Sequence, residues 1–143
     1  MSNLSTISNE IKTIVEGVQQ SGSAAFTEVV EYPTNEFEGY PAASVVPTAV
    51  ESTVFTSTQN QRAYGFMVEL YYNVDQNNWA SAFDIMRDLV DAVLDALDQS
   101  EDLNASCDFL KAVPMEWTLQ EAGQGLVLAT EIRLAAVKDV DVR

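Results

Sequence analysis

The sequence predicts an α+β fold, a single domain built on a mainly antiparallel sheet with helices packed on one face, in the order α-β-β-β-α-β-β. Three observations predict it. Two segments, near the N-terminus and from residue 79, repeat apolar residues at steps of three and four, the period of an amphipathic helix. The remaining ordered segments alternate with period two and are joined by turn-rich stretches, as in hairpin-linked strands. No Pro-, Gly- or Ser-biased linker cuts the chain, so residues 1–143 form one unit around one core, without internal repeats.

The first helix is assigned to residues 2–20. Ser2 and Asn3 are capping residue types, and Leu4, Ile7, Ile11, Ile14, Val15 and Val18 form its apolar face opposite Asn9, Glu10, Lys12, Thr13 and Glu16. Gly17 weakens its end, and residues 19–23 read as a loop. Three strands follow within 25–73. The first, over 25–32, alternates Phe26, Val30 and Tyr32 against Thr27, Val29 and Glu31 until Pro33 stops it. The second runs over about 42–50. Pro47 interrupts it, and the missing N–H argues for an edge or a bulge. Residues 52–61, above all Ser57, Thr58, Gln59, Asn60 and Gln61, read as a long polar hairpin tip. The third strand alternates Tyr64, Phe66, Val68, Leu70 and Tyr72 with Ala63, Gly65, Met67, Glu69 and Tyr71. Both of its faces are partly apolar, which predicts a central position.

The cap-rich run 75–78 introduces a long helix over 78–99, with Trp79, Phe83, Met86, Val90, Val93 and Leu97 on its seam. Residues 101–108 form a polar connection. A closing hairpin spans 110–138, its arms 110–119 and 126–137 joined by a turn at 121–125, and 139–143 read as a polar tail.

Composition bounds the function. The 143 residues are 47% hydrophobic and 20% charged, enough to bury a core without disulfides or metal. Twenty-two acidic against 7 basic side chains give a net charge of −15, which disfavours direct phosphate-neutralising nucleic-acid binding. Without histidine there is no Ser-His-Asp or Cys-His nucleophile and no His-bearing zinc site. Cys107 stands alone and reads as an unreactive thiol. No cofactor motif or metal-ligand spacing is expected. The N-terminus lacks the basic and apolar regions of a signal peptide, and no run reaches the ~18 apolar residues that span a bilayer, so a soluble cytosolic protein is expected.

Asp84, Asp88, Asp91, Asp95 and Asp98 repeat at steps of 4, 3, 4 and 3 beside the apolar seam. A solvated helix flank relieved by Arg87 is the simpler reading, because like charges at i,i+4 cost only a few tenths of a kcal/mol. The functional alternative is an electronegative surface. Glu131-Ile132-Arg133 carries the minimum of a carboxylate-x-cation arrangement found in metal-dependent nucleases, but no acidic partner is placed by spacing, and a cross-strand surface charge pair is the better reading. Gly123-Gln124-Gly125 joins two strands rather than opening a helix, so it is a turn and not a phosphate loop. Trp79, Trp117, Tyr64, Tyr71 and Tyr72 sit at core spacing. For Phe37 and Tyr40, in a turn-rich loop, burial under the loop and contact with a partner stand equal.

The segment Phe37-Glu38-Gly39-Tyr40-Pro41-Ala42-Ala43-Ser44-Val45-Val46-Pro47, with the long polar hairpin and the strand over 62–73, resembles the middle of the tail terminator and neck-type proteins of long-tailed (siphovirus-like) bacteriophages. The order of the other elements is similar, so the resemblance spans nearly the whole chain, carried by order and texture rather than by signature residues. It implies a structural virion protein and no enzyme: a homo-oligomeric ring, usually hexameric, that caps the head-proximal end of the tail tube, stops its polymerisation and offers the head-docking surface. The implied partners are further copies of itself, the tail tube protein and head connector proteins, with DNA at most passing through a channel and no membrane. The implied location is the virion, assembled in the host cytoplasm. An acidic lumen would repel the phosphates that slide through it. Candidate contact segments are Glu36, Phe37 and Tyr40; Ser57, Thr58, Gln59, Asn60 and Gln61; and Gly123, since loops on a scaffold are where binding residues gather. A head-completion ring protein of the same machine is the nearest alternative. An acidic DNA-mimic inhibitor is the alternative of another class, and a nuclease using Glu131 ranks last.

Overall fold

The computed structural model describes residues 3–20, 22–34, 37–54, 59–74, 79–100, 107–122 and 125–141. The elements in chain order are α1 (Asn3–Glu16), β1 (Gln19–Gln20), β2 (Ser23–Ala24), β3 (Glu28–Val30), β4 (Ala42–Val54), β5 (Gln59–Val74), α2 (Trp79–Asp98), β6 (Phe109–Ala122) and β7 (Gly125–Asp141). Five of these strands make one sheet in the order β3-β4-β5-β7-β6, parallel only between β3 and β4. The fold is therefore α+β with a mainly antiparallel sheet, as the sequence predicts.

Period-two patterning assigns the two faces of the sheet. On β5, Tyr64, Phe66, Val68 and Leu70 are buried, and they pair across the ladder with Ala136, Leu134, Ile132 and Thr130 of β7. Ala43 and Val45 of β4 continue the same face. Both helices cover it: Ile7, Ile11 and Val15 of α1 and Met86, Leu89, Val93 and Leu97 of α2 join these strand residues in one core. Trp117 of β6 extends it by stacking on Phe83, ring centroids 5.8 Å apart and planes 10° from parallel. The second face, here the open face, carries no helix among the described residues.

β5 is the middle strand of the five, as its two partly apolar faces predict. Pro47 marks a register shift between Pro47 and Val50, beyond the three residues of β4 that β3 covers, so it lies at an edge and beside a bulge. Gly65 lies opposite that bulge. A Cβ there would overlap Thr48 Oγ1 and fall 2.9 Å from the Ala49 carbonyl, so only glycine admits the bulged strand. β6 carries a second shift, between Pro114 and Trp117, and there the buried Thr130 hydroxyl donates to the Met115 and Glu116 carbonyls at 3.4 and 3.3 Å.

Several expected boundaries need correction. The first helix stops at Glu16 rather than near residue 20, its end marked by Gly17, and Gln19–Gln20 pairs with Ser23–Ala24 across Gly22, whose φ is 81°. The strand expected over 25–32 shrinks to Glu28–Val30, because the Ala25 and Thr27 amides bond instead to the Val18 and Pro41 carbonyls. Gln59, Asn60 and Gln61 are not a hairpin tip. They pair with Asp141, Val140 and Asp139, so part of the expected polar tail is strand as well. Backbone hydrogen bonds satisfy these polar segments whatever their side chains. Trp79, placed on the helix seam, is 41% exposed, and Ala82 and Leu89 fill the core instead. The long helix stands where the sequence puts it, whereas the arms of the closing hairpin are longer than expected, Phe109–Ala122 and Gly125–Asp141, so that Glu121, Ala122 and Gly125, assigned to the turn, are paired strand residues.

Candidate functional site

The five aspartates lie on α2, and all five are exposed, on the side of the helix turned away from the sheet. At ~1.5 Å rise per residue the row runs for about 21 Å. Arg87 relieves it at one point, 2.7 Å from Asp84 and itself largely exposed, a pairing of little energetic weight.

The open face carries a second group of acids that spacing does not disclose. Glu69 of β5 and Glu131 of β7 are direct neighbours in the register, an arrangement of like charges that costs energy. Each has a compensating donor: Arg133 approaches Glu131 at 3.3 Å, and the Tyr71 hydroxyl donates to Glu69. Glu116, Thr118 and Gln120 of β6 complete a shallow open groove of about 450 Å³ beside this pair. The Glu131–Arg133 contact is a surface charge pair, but it runs along β7 rather than across strands as expected. Among the described residues no group of three acidic or thiol side chains is placed to hold a metal ion.

Tyr71 links the groove to the loop above it. Phe37 lies 5.1 Å from the Tyr71 ring and 6.0 Å from Tyr40, and with Val127 and Ala129 these rings form a second, smaller core. The loop is pinned there: Thr27 donates through its amide and hydroxyl to the Pro41 and Tyr40 carbonyls, and the Glu38 amide donates to Glu28. Burial pushes the Tyr71 phenol well above its ordinary value, and the hydrogen bond to Glu69 and its charge push it further in the same direction.

Phe37 and Tyr40 thus pack beneath their own loop. Asn60 and Gln61 are half-buried strand residues, Gln59 lies in the same strand, and Glu36, Ser57, Thr58 and Gly123 fall outside the described residues. The register separates the candidate segments. Gln59 pairs with Asp141 at one end of the sheet, whereas Val74 pairs with Leu126 at the other, and the 37–41 loop lies towards that second end through the Ala42–Tyr71 pair.

The residue that sequence reasoning passed over is Lys111, exposed on the outer strand β6. Lys12, Arg62, Arg87, Arg133 and Lys138 each have a side-chain partner within the chain, and Lys111 is the one described cation with no partner among the described residues. The signal in the sequence was the scarcity of cations itself. Among the described residues no helix is long and apolar enough to cross a membrane. No protein-family model matches the chain, and no curated protein matches it.

Proposed function

We propose that the protein is a structural subunit of a bacteriophage tail, a terminator that forms a ring on the head-proximal end of the tail tube and offers the surface on which the head docks. The observation that carries this reading is the element order, with its long β4–β5 ribbon, long second helix and closing hairpin. That order resembles the terminator and neck-type proteins over nearly the whole chain. The form of the sheet supports it. Among the described residues one face has no helix, β6 has no strand on its outer side and β4 has one only over Ala42–Ser44, which suits a part that finds its remaining neighbours in other copies. In such a ring, acidic walls would let DNA pass without adhering.

Light scattering over a range of protein and salt concentrations tests the proposal. A species of about six times the 15.7 kDa chain mass is expected, favoured as salt screens the repulsion between copies. A monomer at every concentration and salt, with or without tail tube protein, refutes it. Retention of tail tube protein on the immobilised chain separates a terminator from a head-completion ring, which would retain portal or adaptor instead. The DNA-mimic reading has one observation in its favour, the continuous exposed row from Asp84 to Asp98. It requires a monomer or dimer bound tightly to a basic nuclease or repressor.

A further inference from the structure

The ring reading leaves open which surfaces join the copies, and the inference below rests on that reading and deepens it. β4 and β6 are the long outer strands of the sheet. β3 covers β4 only at Ala42, Ala43 and Ser44, and among the described residues no strand pairs with the outer side of β6. Successive antiparallel pairings from β4 through β5 and β7 to β6 leave these two strands running in opposite directions. A copy rotated about an axis along the strands therefore presents its β4 antiparallel to the β6 of its neighbour, and the sheet can continue from one copy to the next.

The side chains on the two edges complement each other. Among the described residues Lys111, exposed on β6, has no side-chain partner, and Glu51, exposed on β4, is in no ion pair. Lys111 pairs through Ala135 to Gly65, and Glu51 pairs to Ala63, so both lie on the open face. Val50 and Phe109, 48% and 50% exposed, add apolar surface to the same end of each edge. Pairing an edge with itself around these residues would bring Lys111 to Lys111 or Glu51 to Glu51, so the charges favour the head-to-tail arrangement that closes into a ring.

We propose that residues 109–112 of β6 pair antiparallel with residues 50–53 of the next copy, setting Lys111 beside that copy's Glu51. Within one chain Glu51 lies in the row of Phe109, two residues from the row of Lys111, so the joint is staggered by two. An even stagger keeps every side chain on its own face, and a stagger is what tilts strands when a sheet closes on itself. The pairing ends where it must, because Pro114 and Pro47, each beside a bulge, lie just past the joined segment.

A double variant, Lys111→Cys with Glu51→Cys, tests the joint under mild oxidation. Non-reducing electrophoresis should give a ladder of cross-linked species rising to the mass of the wild-type ring, and neither single variant should give one. Lys111→Glu alone should raise the concentration needed for assembly by roughly tenfold per interface, and adding Glu51→Lys should restore it. If the wild type has ring mass but the double variant does not cross-link, this joint is wrong and the ring reading survives. Dimers from either single variant would show an edge pairing with itself and overturn the joint too. A wild type that is monomeric throughout removes both.

Discussion

Gly65→Ala examines a place where the sheet depends on a missing side chain. The added Cβ would overlap Thr48 Oγ1 and lie 2.9 Å from the Ala49 carbonyl, both inside van der Waals contact. The hydroxyl can rotate away, but the carbonyl belongs to the bulge and moves only with the strand. Overpacking of this kind costs about 1–3 kcal/mol. Against it stands the gain of about 0.5–1 kcal/mol from replacing glycine inside a strand. The net loss is about 1–2 kcal/mol, a fall in Tm of about 3–6 °C at this chain length. Thermal unfolding followed by circular dichroism measures it. Repeating the substitution in a Thr48→Ala background should recover part of the loss, a coupling of roughly 0.5–1 kcal/mol, because the backbone contact remains. A Gly65→Ala protein as stable as the wild type, or one whose loss is the same with and without Thr48, would refute the close approach of β4 to β5.

Three further outcomes follow from the site. Tyr71 is neutral in the folded protein above the ordinary tyrosine value of 10.0, while the unfolded chain ionises there, so its contribution to stability is present below about pH 10 and falls as pH rises beyond it. Tyr71→Phe should flatten that alkaline decline in denaturant midpoints measured from pH 9 upward, and an unchanged slope would contradict the assignment. Cys107 is buried and should react with a thiol reagent only as the protein unfolds, so rapid labelling of the native protein would be inconsistent with its position. Asp88→Asn with Asp91→Asn should change stability by under ~1 kcal/mol, since exposed like charges on a helix interact weakly, and a larger change in urea unfolding would mean the stripe is more than a solvated surface.

What could be read from the sequence was whatever a single period encodes. The seam of α2 names its buried face because the pattern repeats over five turns, and the alternation in β5 assigns both its faces and its central place. Pro47 announced its bulge through a missing donor. Side-chain polarity misled where the backbone decides, as at Gln59, Asn60, Gln61 and Asp139, polar residues held in the ladder by main-chain bonds. The parallel pairing of Glu28 with Ala42 lay beyond reach because it depends on how the 37–41 loop folds back. The same holds for the meeting of Glu69 with Glu131. Two residues 62 positions apart become neighbours only through the register of two strands, which no local pattern contains.

The distribution of charge bears on how an acidic ring could hold together. With a net charge of −15 per chain, bringing copies side by side is opposed at long range by every carboxylate. The structure keeps most of that charge off the sheet edges. The five aspartates of α2 stand above the helix-covered face, and Glu69 and Glu131 lie on the inner strands β5 and β7, towards the open face. In a ring built by continuing the sheet, these two surfaces become its two walls, and both are acidic. An acidic lumen then does not depend on which wall faces inward, so the direction of the Asp84 to Asp98 row no longer decides that question. The joints would instead contain Lys111, the one described cation with no partner among the described residues of its own chain. Replacing Lys111 should therefore disturb assembly more than neutralising any single aspartate of α2, a ranking that sedimentation of the variants at fixed salt would reveal. The opposite ranking would place the α2 face, not the strand edges, between copies.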